Sequence, residues 1–94
     1  MNHMVCSLDH MDNTEALDRQ LTAEVREAMK AAGMSHREMA TATGIPLVTL
    51  SRRLSGQGKG FTVVEVLTIA DVLGISLVEL ALRADRSLTR AHAA

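Results

Sequence analysis

The chain has 94 residues, room for one domain, and a formal net charge of −1, so a uniformly basic coat for nucleic acid is excluded. Its apolar residues are Ala, Leu, Val, Ile and Met with Phe61 the only aromatic, which suits closely packed helices and argues against stacking on single-stranded bases. A lone Cys6 excludes an internal disulfide, and neither a membrane-length apolar run nor a secretory h-region is present, so a cytosolic (cytoplasmic) protein is expected.

Residues 1–13 show no sustained period and are expected to be a disordered lead-in, with Met4 and Met11 as alternative translation starts. His3, Cys6, Asp9 and His10 fall close together there. They lack the spacing and frame of a four-ligand zinc site, and no metal is expected. The domain is expected over residues 14–86. From Thr14 to Ala32 the apolar positions Leu17, Leu21, Val25, Ala28, Met29 and Ala32 form a helical stripe, ended by Gly33.

The next three starts follow one pattern apart from the central helix. Ser35-x-x-Glu38, Thr62-x-x-Glu65 and Ser76-x-x-Glu79 are capping boxes, in which side chain and backbone satisfy each other's orphan groups. Each is flanked by a hydrophobic pair at staple spacing: Met34 with Met39, Phe61 with Val66, and Ile75 with Leu80. Gly44 and Gly74 close the helices that open at Ser35 and Thr62.

Between these lies a helix that opens instead on Ile45-Pro46. Proline needs no N–H in a first turn, and the residue before it is driven to extended backbone. Leu47, Leu50 and Leu54 recur at helical spacing before Gly56, and SGQGKG (55–60) reads as a glycine-rich loop. The fourth helix, Thr62 to Leu73, is expected to bury Val63, Val66, Leu67, Ala70 and Leu73. The fifth, Ser76 to about Arg86, is apolar around more of its circumference than one core contact needs. A second subunit is expected on part of it, with Leu77, Val78, Ala81 and Leu82 as dimerisation candidates. Residues 87–94 are expected to be a frayed C-terminal tail.

Charge is distributed unevenly. Residues 35–60 carry one acid, Glu38, against Arg37, Arg52, Arg53 and Lys59, whereas the segments on either side are acidic on balance. A local basic patch of this kind is an electrostatic footprint for phosphates.

With those residues in place, the stretch Ser35–Gly56 resembles the helix-turn-helix of the phage-repressor (Cro/lambda-repressor-like, XRE-type) family. The carrying residues are Met39-Ala40, Gly44-Ile45, Thr49-Leu50-Ser51-Arg52 and Gly56, and the resemblance covers about Leu17 to Leu82. It implies an all-α, five-helix lambda-repressor-like DNA-binding domain with a central helix-turn-helix. It further implies a sequence-specific transcriptional regulator, a repressor acting as a homodimer on a double-stranded DNA operator.

By that resemblance the second motif helix enters the major groove. Leu47, Val48 and Arg52 match base-contact positions, with Pro46 and Ser51 as neighbouring base-contact candidates. His36, Arg53, Ser55, Gln57 and Lys59 are the phosphate-contact candidates, and Arg37 is expected to pair with nearby acids in solvent. Leu47 is equally placed to join the core with Leu50 and Leu54. Two residues depart from the family pattern: Thr43 stands where a core Leu or Val is usual, and Arg53 where Ile, Val or Trp is usual. Either Leu54 restores the packing or the second motif helix is rotated.

The alternative function is a helix-turn-helix protein-interaction module such as an antitoxin or adaptor, suggested by the aliphatic Leu47-Val48 pair. No enzyme is expected, because no nucleophile–base pair, metal cluster or phosphate loop is present; the glycines of residues 56–60 follow no strand. No cofactor and no small-molecule ligand are indicated.

Overall fold

In the computed structural model the backbone is described for residues 2–93 and side-chain environments for residues 15–90. Five helices follow one another: α1 (Asn2–Ala31), α2 (His36–Thr43), α3 (Leu47–Leu54), α4 (Val63–Leu73) and α5 (Leu77–Ala93). No strand occurs among the described residues.

The local signals at the helix starts are realised in two of three cases. Ser35 and Thr62 each accept from the backbone of the glutamate three residues on, and Glu38 and Glu65 each accept from the cap residue's N–H. The third box is only half made. Ser76 accepts from Glu79 N–H at 3.0 Å, but the Glu79 carboxylate turns to Arg83 at 2.9 Å and Arg86 at 3.4 Å. A charge-assisted bond to a guanidinium outcompetes a return to its own helix start. These cations hold the Glu79 carboxyl below its ordinary range, the Arg83 hydrogen bond being the largest cause.

Both end helices are longer than their periodic stripes. The backbone of residues 2–13, expected as a lead-in, is the first part of α1; the side chains of His3, Cys6, Asp9 and His10 lie outside the described residues. At the other end α5 continues through most of the expected tail. It packs along α1, with Ala84 fully buried, Leu88 half-buried and Ser87 Oγ donating to Glu24 at 3.1 Å.

Val25, Met29, Met39, Leu50, Leu54, Val66, Ile69, Ala70 and Leu80 form the core, drawn from all five helices. Met34, Phe61 and Ile75, the outer members of the three staples, pack against it. Burying each large aliphatic among them contributes ~1.5–3 kcal/mol. This is what holds two eight-residue helices that have too few turns to stand alone.

The face of α4 differs from expectation. Val63 and Leu67 point outward, 67% and 46% exposed, while Ile69 is fully buried beside Val66 and Ala70. VVEVLTIADVL has apolar residues on nearly every side, so its period alone does not select a face. The staple from Phe61 to Val66 does. The expected α1 stripe is likewise trimmed at its ends, where Leu17 and Ala32 are exposed.

Candidate DNA-binding face

Helices α2 and α3 meet at a three-residue turn, Gly44-Ile45-Pro46. Gly44 lies at φ 80°, a left-handed conformation that costs a side-chain-bearing residue strain, and its N–H closes α2 on the Ala40 carbonyl. Thr43 takes part in the turn instead of the core. Its hydroxyl donates to Met39 O at 2.8 Å and accepts from Ile45 N–H at 3.2 Å. Leu54 is fully buried and Ile45 packs against the core.

Leu50 and Leu54 turn one side of α3 inward, which leaves the opposite side to solvent. Pro46 and Arg52 are exposed, Val48 is 70% exposed, and Leu47, Thr49 and Ser51 are half-buried. Leu47 stands outside the central apolar cluster, so the two readings of this residue meet midway. Thr49 was not among the expected contacts, although it lies one turn before Arg52 on the same flank. That i, i+3 spacing from an exposed arginine is the signal that marks it. Thr49, Arg52, Arg53, Gln57, Gly58 and Lys59 line an open cleft of about 340 Å³.

The expected phosphate contacts divide into two groups. Lys59 and Gln57 are exposed at the rim of this cleft. His36 is exposed at the first position of α2, its Nδ1 3.2 Å from Ser51 Oγ, so that it bridges the two motif helices. Ser55 and Arg53 are engaged internally. The Ser55 hydroxyl donates to Arg52 O at 2.9 Å, which commits its one hydrogen to the end of α3. Arg53, expected on phosphate, is turned in towards α4. Its Nη1 donates to Gly60 O at 2.6 Å and lies 3.2 Å from Glu65 Oε1, with only 20% of the side chain exposed. A guanidinium can replace an aliphatic here because its charge and two of its contacts are matched.

The C-terminal end of α3 is tied from α1 as well. Arg26 Nη1 donates to Leu54 O, placing a cation at the negative end of the helix. A Cβ at Gly60 would fall 2.6 Å from Asp18 Oδ1, so this loop runs against α1 at a place where only glycine fits as the side chains stand.

Among the described residues no cluster of three or more His, Cys, Asp or Glu is placed to hold a metal. Nor is any helix among them long and apolar enough to cross a membrane.

Two short helices crossed over a tight turn, held by three others and presenting Arg52 beside Lys59 on an open flank, define a DNA-binding domain of the Cro/lambda-repressor-like class. The helix-turn-helix family model matches residues 25–80, more than half of the chain, and the protein belongs to that family. It is a DNA-binding helix-turn-helix regulator. Comparison with curated proteins and with solved structures finds no significant match.

Proposed function

We propose that the protein is a transcriptional repressor that binds its operator as a homodimer and acts by occupying the site. The observation that carries this reading is the solvent-facing flank of α3, where Arg52 stands between aliphatic Val48 and the cationic loop at Lys59. Arg52 would read guanine through its planar fork, while Leu47 and Val48 would contact thymine methyl groups. Thr49 and Ser51 add hydroxyls to that flank, and Pro46 shapes its entry. His36, Gln57 and Lys59 would hold the backbone on either side. For the homodimer, Val78, Ala81 and Leu82 are exposed on α5 and form the self-complementary patch. Leu77, expected with them, packs against the core and is left out.

The test is duplex binding to the DNA immediately upstream of the chain's own coding region, followed by fluorescence anisotropy across a salt series. Wild type should bind that duplex in preference to a scrambled one. Arg52→Ala should remove ~1–3 kcal/mol of that preference. Lys59→Ala should weaken both duplexes alike and flatten the log–log salt slope by ~0.9. Failure of the wild type to bind any duplex at low salt would sink the proposal.

One observation favours a second reading, a protein-interaction module of antitoxin or adaptor type. Val48 is 70% exposed on the presented face, and apolar anchors of this kind suit a protein partner. Wild type that ignores DNA, with a partner lost on Val48→Asp, would select it.

A further inference from the structure

We infer that Arg53 is a positioning residue for DNA binding, a clamp that sets the α3–α4 loop so that Lys59 meets the backbone. The inference rests on the DNA-binding reading above, and it assigns a role distinct from direct phosphate contact.

Three features converge on the clamp. The Arg53 guanidinium reaches across the loop from α3 to Gly60 O, so it closes the chain between Arg53 and Gly60 into a ring. Its second contact, Glu65 Oε1, is itself fixed, because the same oxygen accepts Thr62 N–H at 2.9 Å in the α4 cap. The side chains of Arg53 and Glu65 are 20% and 21% exposed, so water competes for this pair less than at the surface. On the far side Gly60 abuts the Asp18 carboxylate. Gly60 is therefore tied to α3 through Arg53, whose guanidinium is in turn paired with Glu65 of α4, and the residue immediately before it is the exposed Lys59.

The loop has little else to set its shape. Gly56 and Gly58 both lie at positive φ, and SGQGKG offers no large apolar side chain to bury. Gly56 and Gln57 N–H groups bond back to Arg53 O and Arg52 O, which fixes the loop's first half. The second half, Gly58 to Gly60, depends on Arg53. A freely moving Lys59 would lose more conformational entropy on meeting phosphate, and pre-setting the loop lowers that cost.

A double-mutant cycle separates clamp from contact. Arg53→Gln should weaken duplex binding roughly three- to tenfold in the wild-type background and have almost no further effect in Lys59→Ala, because both act through one group. A direct phosphate contact would instead give fold-changes that multiply. Glu65→Gln provides the second variant, since glutamine preserves the capping box while removing the charge that anchors Arg53. As a clamp partner its loss weakens binding; if binding tightens, as removal of an acid near phosphate predicts, the inference is wrong.

Independently of DNA, backbone ¹⁵N relaxation of the free protein should show lower order parameters for Gly58 and Lys59 in Arg53→Gln, with α2 and α3 unchanged. Unchanged loop order parameters would overturn the clamp even if DNA binding holds. Absence of binding by the wild type would overturn the functional reading, while the relaxation data still decide whether Arg53 orders the loop.

Discussion

The two ends of α3 are built in opposite ways. At its start Pro46 supplies no side-chain cap, and Pro46 and Val48 face solvent. At its end Arg26, Ser55 and Arg53 each bond a carbonyl at or beyond the last turn, and Leu54 is fully buried. Helix α2 shows that the chain can cap a start when position requires it, with Ser35 and Glu38 reciprocally bonded. The contrast teaches that α3 is anchored from behind and left open in front. An uncapped helix start keeps backbone N–H groups free, and an exposed flank keeps Arg52 available.

The largest effect is expected at the anchored end of α3. Leu54→Ala should destabilise the fold by ~2–5 kcal/mol, because a fully buried leucine leaves a cavity that neighbouring helices close only in part. Urea unfolding measures it, and a loss below 1 kcal/mol, on the same scale, would mean that the end of α3 is not anchored by packing. Ser35→Ala, which strips the cap that α2 has and α3 lacks, should cost ~1 kcal/mol in the same experiment.

The open front should respond differently. Val48→Ser is expected to change folding stability by less than ~0.5 kcal/mol, since the side chain is 70% exposed. It should nevertheless alter which duplex is preferred. A large loss of stability would show that Val48 is part of the core after all.

The smallest effect is expected at α5, away from both ends of α3. Glu79 is half-buried, and its pKa is lowered first by the Arg83 hydrogen bond and further by Arg86. A lowered pKa means that its stabilising contribution is present above the ordinary carboxyl range and is lost as pH falls through the depressed value. Thermal melts between pH 6 and pH 3, a range chosen around ~4.3 for an unperturbed glutamate, should therefore show a slightly shallower acid decline for Glu79→Gln than for wild type. Identical declines would indicate that the Arg83 contact carries no net free energy.

How much was legible depended on the range of the interaction. The caps at Ser35 and Thr62 were readable because every partner lies within three residues. The inward turn of Met39, Leu50 and Leu54 was readable from staple and helical spacing, whereas the side taken by Leu47 was not, because it fits both the core line and the open flank. The outward turn of Val63 and Leu67 was not, since a nearly all-apolar helix offers several faces and packing chooses one. Nor was the capture of the Glu79 carboxylate by Arg83, because a capping box and an i, i+4 pair propose rival partners for one group.

Arg52 and Arg53 mark the boundary most sharply. Five helices, the tight turn and a basic stretch at the centre of the chain follow from local capping, glycine geometry and period. Adjacent arginines carry the same local signal. That Arg52 faces solvent while Arg53 closes on Gly60 and Glu65 depends on where α4 lies against α3, which no local signal carries.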